Sequence, residues 1–291
     1  MIGLDSNLQK YQALLKTVEC GSFTRAAEAL GYTQSSVSKM IADLEQEWRV
    51  SLLERSRGGV QITADGLALL PYAQSLVNDY RLLQEQVASL NGLQQGLIRI
   101  GVFSSVATHW MPKIIQAFQR DYPGIQYELL LGDYGEIEAW IAEGRVECGF
   151  LRLPTRGEFE TIPLERDELM LVLPKGHPLA ESGRVEPSAL NGQPFMLLEH
   201  GGKTEVSEFL ELHRVRPSIR FTTWDDYAIL SMVESGLGIG ILPRLILQRI
   251  PYQVEIRGFT EPYHREIALA LPGKKTASTA VKRFIGYLGY R

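Results

Sequence analysis

Residues 22–45 read Ser22-Phe-Thr24-Arg25-Ala-Ala27-Glu-Ala-Leu30-Gly31-Tyr-Thr33-Gln34-Ser35-Ser-Val37-Ser38-Lys39-Met40-Ile41-Ala-Asp-Leu44-Glu45. Ser22 is suited to start a helix, because its hydroxyl can accept an orphan backbone N–H, and the Ala-rich run that follows favours helix. Gly31 ends that helix, since a residue without Cβ enters the left-handed region at no steric cost. Thr33 starts a second helix whose apolar residues Val37, Met40, Ile41 and Leu44 recur at steps of three and four. Gln34, Ser35, Ser38 and Lys39 fall on its opposite face. Two short helices around a glycine, the second small and polar on its outer side, form the pattern of a helix-turn-helix that lays its second helix in a DNA major groove.

The flanks extend this reading. Leu8, Tyr11, Leu15 and Val18 make an apolar stripe for a supporting helix. Leu52 to Thr63 reads as a hairpin with Gly58-Gly59 at its turn. Three helices and a basic hairpin give a winged helix-turn-helix over 1–63. Candidate DNA contacts are Ser22, Thr24 and Arg25 at the first helix, Thr33, Gln34, Ser35, Ser38 and Lys39 on the second, and Arg55 and Arg57 in the hairpin.

Val18-Glu-Cys20-Gly-Ser22-Phe-Thr24-Arg25-Ala-Ala27, with Gln34, Val37-Ser38, Leu44-Glu45, Ile62-Thr63 and Gly66, resembles the N-terminal signature of LysR-type transcriptional regulators. In place of the Leu-Gly pair common after the Leu-Glu helix, this chain has Trp48-Arg49-Val50. The resemblance implies an effector-binding domain of two subdomains, each like half of a periplasmic solute-binding protein. It also implies assembly as a homodimer or homotetramer, with RNA polymerase as a further partner.

The chain has 291 residues and a formal net charge of −4. Residues 1–63 hold seven Lys or Arg against seven Asp or Glu. A neutral head predicts modest salt-dependent affinity per subunit, so tight binding requires more than one. No apolar run reaches membrane-spanning length and the N-terminus carries no signal-peptide pattern, so a cytoplasmic protein is expected. The two cysteines, Cys20 and Cys148, are read as reduced packing residues. Cysteines and histidines match no metal spacing.

From Thr63 to about Leu93, Leu67, Leu70, Leu76, Tyr80, Leu83, Val87 and Leu90 mark one long helix, placed at 64–93, whose narrow seam calls for a partner copy. Pro71 is expected to bend it. Asn91-Gly92 reads as a hinge. From residue 96 strands alternate with helices, which implies sheets covered by helices on both faces. Strands are expected at Leu97–Phe103, Ile125–Leu131, Val146–Leu151, Glu168–Leu173, Phe195–Leu198, Ile239–Leu242 and Glu266–Leu271. Helices are expected at Met111–Arg120, Glu136–Glu143, Thr204–Leu212, Asp225–Ser235 and Thr276–Tyr287. With crossings near Leu164 and His264, one subdomain spans 96–164 and 265–291, the other 165–264.

Ligands of such domains bind at the carboxyl ends of strands, in the cleft. Ser104, Ser105 and Thr108 follow the first strand, Asp133 the second, and Arg152 lies at the end of the third. His200, Gly201 and Gly202 open a helix of the second subdomain. The hydroxyls and backbone amides suggest a pocket for an anion, and the resemblance assigns the Ser104-Ser105 and 199–203 loops to effector contact. Gly236-Leu-Gly238-Ile-Gly240 follows a helix and lacks dinucleotide spacing. No nucleophile elbow or acid/base constellation is present, so no catalytic residue, metal or cofactor is expected. The rival readings are a ligand-binding protein without DNA function and, more remotely, an α/β enzyme.

Overall fold

The computed structural model describes residues 4–56, 59–90, 96–199, 202–272 and 277–291. It divides into two compact units, residues 1–91 with 143–145, and 92–142 with 146–291.

The first unit contains α1 (Leu4–Cys20), α2 (Phe23–Leu30), α3 (Gln34–Trp48), β1 (Leu53–Ser56), β2 (Gly59–Ile62) and α4 (Ala64–Leu90). Both expected caps form. The Ser22 hydroxyl accepts from the Arg25 amide and the Thr33 hydroxyl from the Ser36 amide. Gly31 sits at φ 71°, which only a glycine takes without strain. The core joins Ala13 and Leu14 of α1, Ala26 and Ala27 of α2, and Val37, Ile41 and Leu44 of α3. The buried face of α1 therefore runs through Ala13, Leu14 and Thr17, with Tyr11 and Val18 at its edges; the expected stripe of Leu8, Tyr11, Leu15 and Val18 lies to one side. Periodicity in large residues missed it because Ala13 is small and Thr17 is polar. Thr17 tolerates burial because its hydroxyl donates to the Ala13 carbonyl at 2.7 Å.

β1 and β2 pair Leu53 with Ile62 through to Ser56 with Gly59. Gly59, expected at the turn, is thus a strand residue, and its expected turn partner Gly58 lies outside the described residues. Glu45 fastens this hairpin: its Oε1 accepts from the amides of Leu52 at 2.7 Å and Leu53 at 3.1 Å. Thr63 fastens the far side, donating to the Ser51 carbonyl and accepting from the Gly66 amide. A Cβ at Gly66 would stand 2.4 Å from the Leu52 carbonyl, so that position excludes side chains. Glu45→Ala is expected to lower the stability of this unit by about 1–3 kcal/mol, since two amides lose a charged acceptor. Urea denaturation followed at Trp48 measures it, and an unchanged midpoint would deny Glu45 that role.

The second unit contains β3 (Gly96–Val102), α5 (Ser104–His109), α6 (Met111–Asp121), β4 (Ile125–Leu131), α7 (Tyr134–Ala142), β5 (Cys148–Leu153) and β6 (Glu160–Pro174). It continues with β7 (Arg184–Val185), β8 (Pro194–Leu198), α8 (Glu205–Leu212), β9 (Ser218–Thr223), α9 (Asp226–Glu234), β10 (Ile239–Pro243), β11 (Val254–Phe259), β12 (His264–Leu271) and α10 (Thr279–Ile285). The sheet order is β4-β3-β5-β12-β6-β10-β8-β9, with β11 also on β6.

β6 is the spine. Its first half pairs with β12 and its second half with β10 and β11, all antiparallel. One core gathers on Ile98, Ile100, Phe118, Phe150 and Phe284. Alternation along the second half of β6 feeds two others: Leu169, Leu171 and Leu173 face Phe195 and Phe209, whereas Met170 and Val172 face Ile229 and Leu242.

The expected strands and helices all recur where described, Ile125–Leu131 with the same ends and the others with shifted ones; residue 276, the expected start of the last helix, lies outside the described residues. β7, β9, β11 and the charged first half of β6 were not expected. Ser104 to His109, read as a loop, is helical. α4 continues through Pro71, and the expected hinge at 91–92 lies outside the described residues. No helix among the described residues is long and apolar enough to cross a membrane.

Candidate functional sites

In the first unit, the buried residues of α3 turn its other face outward. Gln34, Ser35 and Lys39 are exposed and Ser38 is half-buried. Thr33 bridges the hydroxyls of Ser35 and Ser36 at 3.0 and 2.8 Å, which orders the first turn. Thr24 and Arg25 are exposed and Ser22 half-buried at the start of α2. This is a small, polar, convex surface with backbone donors at two helix starts, suited to phosphates and base edges. The Arg55 side chain and Arg57 lie outside the described residues.

In the second unit a cleft of about 450 Å³ opens where two parallel pairs of strands, β3 with β4 and β8 with β9, end. The residues after β3, β4, β8 and β9 all line it: Ser104, Gly132, Glu199 and Trp224. Of the expected site residues, Ser104, Ser105, Thr108, Asp133 and Gly202 also line it. His200 and Gly201 lie outside the described residues. Asp133 has a second task, since it and Glu136 cap each other's amides at 2.8 and 2.9 Å.

Arg152 does not line this cleft. Its guanidinium grips both carboxylate oxygens of Glu208 and stands 3.9 Å from Glu205, which leaves it committed to an ion pair. The central cation is Arg265, only 5% exposed. Its Nε and Nη2 donate to Asp167 at 2.9 and 2.8 Å, Nη1 to Tyr134 at 3.0 Å and Glu205 at 3.2 Å, and Nη2 also to Ser105 at 2.7 Å. The five N–H bonds of the fork match these five contacts. The Phe103 ring lies under it, 4.9 Å away. Burial alone would pull the Arg265 pKa down, but Tyr134, Glu205 and Asp167 outweigh it and hold it high. Burial pushes the Tyr134 hydroxyl up, so it stays protonated.

Sequence reading missed Arg265, Glu205 and Asp226. Asp226 follows the helix cap Asp225 and reads as an ordinary first-turn acid. It is 8% exposed, takes a hydrogen bond from Ser104, and lines the cleft. A trace of Arg265 was present: it stands beside the expected crossing at His264.

Residues 8–67 match the family described as bacterial regulatory helix-turn-helix protein, lysR family, and residues 91–291 match the LysR substrate binding domain. The chain belongs to the LysR family of transcriptional regulators. The probable regulator LrrA of Synechococcus elongatus is 34% identical over 97% of this chain and 96% of its own. Full-length OxyR from Pseudomonas aeruginosa shares the fold with a TM-score of 0.74 at 21% identity, over 97% of this chain and 95% of that one. Full-length CbnR complexed with its target DNA does so at 0.69 and 19%, over 97% and 98%. This LysR-type regulator thus pairs a helix-turn-helix DNA-binding domain with an effector-binding domain.

Proposed function

We propose that this protein is a cytoplasmic, effector-gated regulator, and not an enzyme, that docks α3 in the major groove of its operator. Gln34, Ser35, Ser38 and Lys39 read base edges; Ser22, Thr24, Arg25 and Thr33 hold phosphates, joined by Arg55 and Arg57 from the wing. The observation that carries this reading is the outward polar face of α3, opposite buried Val37, Ile41 and Leu44. The effector domain divides into 96–164 with 265–291 and 165–264, and a small molecule in the cleft shifts the equilibrium between arrangements of the two. Through a homodimer or homotetramer that shift changes how paired heads sit on DNA, and thereby what RNA polymerase meets.

A gel-shift titration on DNA flanking the protein's own gene, at fixed salt, tests this. A Gln34→Ala/Lys39→Ala variant is expected to lose at least about 30-fold in operator affinity, because each lost base-edge contact costs roughly 1–3 kcal/mol and every 1.4 kcal/mol is tenfold, while its circular dichroism stays unchanged. Equal shifts for variant and wild type, or no shift with wild type at low salt, would overturn the proposal.

A further inference from the structure

The residues lining the cleft carry more acid than base, against what its loop hydroxyls suggest. Among the described lining residues five are carboxylates and three are cations. The cations are largely committed. Every N–H of Arg265 meets a protein acceptor, so it has no donor to give a ligand carboxylate. Lys203 is paired with Glu211 at 2.7 Å. Arg156 stands at the exposed rim beside Gly135 and Gly202, where solvent screens it.

Asp226 is the contrary case. It is buried, it lines the cleft, and the hydrogen bond from Ser104 uses one of its acceptor positions. A carboxylate can accept about four hydrogen bonds. Burying it with so few partners is unfavourable unless a donor completes it. Around the cleft stand Phe103, Leu131 and Trp224, the last two more than half exposed. Apolar walls with one buried anionic acceptor suit a molecule that is apolar in body and cationic at one end.

We propose that the effector of this regulator carries a protonated amine, bound by Asp226, with its apolar body against Phe103, Leu131 and Trp224. This rests on the reading of the cleft as the effector site. The groups facing Asp226 are Arg265 from β12, Glu205 from α8, Ser104 from α5 and Asp225 beside it. Of these only Arg265 is cationic, and it is spoken for.

The test uses full-length protein and three pairs of probes matched in skeleton: phenethylamine and phenylacetate, tryptamine and indole-3-acetate, cadaverine and glutarate. Titration calorimetry is run on wild type and Asp226→Asn. At least one amine is expected to bind tenfold or more tightly than its matched acid, and Asp226→Asn to lose tenfold or more of that affinity. A second measurement needs no variant. Burial lifts the Asp226 carboxyl, against the pull of Arg265 and Ser104, to about 6. Amine binding to wild type is therefore expected to weaken as pH falls from 7.5 to 5, while the probes remain charged. Tighter binding of the acids, absence of binding by every amine, or amine affinity indifferent to both Asp226→Asn and pH would each overturn the proposal. The operator gel shift is independent of these outcomes: a protein that shifts DNA but prefers the acids keeps its regulator reading and loses only the amine.

Discussion

Replacing Arg265 by leucine is expected to cost the effector domain about 3–5 kcal/mol, the usual penalty for removing one partner of a buried charge cluster. Asp167 and Glu205 are each about 4% exposed at the side chain and both rely on this guanidinium. Without it two buried carboxylates lose their main counter-charge, and the Ser105 and Tyr134 hydroxyls lose a partner as well. A lysine is not expected to rescue the loss. An ammonium offers three donors from one atom, whereas the guanidinium reaches Asp167 with two nitrogens while contacting Glu205, Tyr134 and Ser105. Thermal unfolding of the full-length protein would show the transition of the effector domain falling by several degrees in both variants. Retention within about 0.5 kcal/mol of wild type, the range of an ordinary surface substitution, would show that the cluster contributes nothing net.

The same residue shows where sequence reading stops. The partners of Arg265 lie 60 to 160 residues away along the chain. No local pattern announces that α5, α7, β6 and α8 will meet at one strand end. Local chemistry fares better. The caps Ser22 and Thr33 and the left-handed Gly31 follow from what each residue does to its own backbone, so they were legible. β3, β5 and β10 were legible because buried central strands are runs of apolar residues. β9 was not, for it is an edge strand whose residues are mostly exposed, and only its pairing with β8 makes it a strand. The first half of β6, Glu-Thr-Ile-Pro-Leu-Glu-Arg, carries three charged residues and a proline, and its register with β12 decides it. At the cleft, hydroxyls after β3 were rightly placed at the lining, but Arg152 was assigned by its position near a strand end. Its direction, toward Glu208, depends on a helix 56 residues on.

A second large effect is expected on the seam of α4. The early turns of this helix are committed to the winged head, where Ala73 is buried and Leu69 and Leu70 pack on the core. Beyond and beside them Tyr72, Leu76, Tyr80, Leu83 and Val87 are 38–72% exposed. Their spacing of four, four, three and four keeps them on one face, the arrangement of a seam that closes against a second helix. Each large side chain buried there contributes roughly 1.5–3 kcal/mol, and five of them on each copy give enough area to hold two chains together. Leu76→Glu with Leu83→Glu keeps helix propensity and places like charges across that seam. The double variant is expected to sediment as a monomer at micromolar concentration. Operator affinity should fall with it, by about 10²–10⁴, because the second head then binds from solution and no longer as an intramolecular partner at high effective concentration. The head itself should stay folded, since neither residue belongs to its core. A variant that remains dimeric, or a monomer that binds the operator as tightly as wild type, would place the assembly contact elsewhere in the chain.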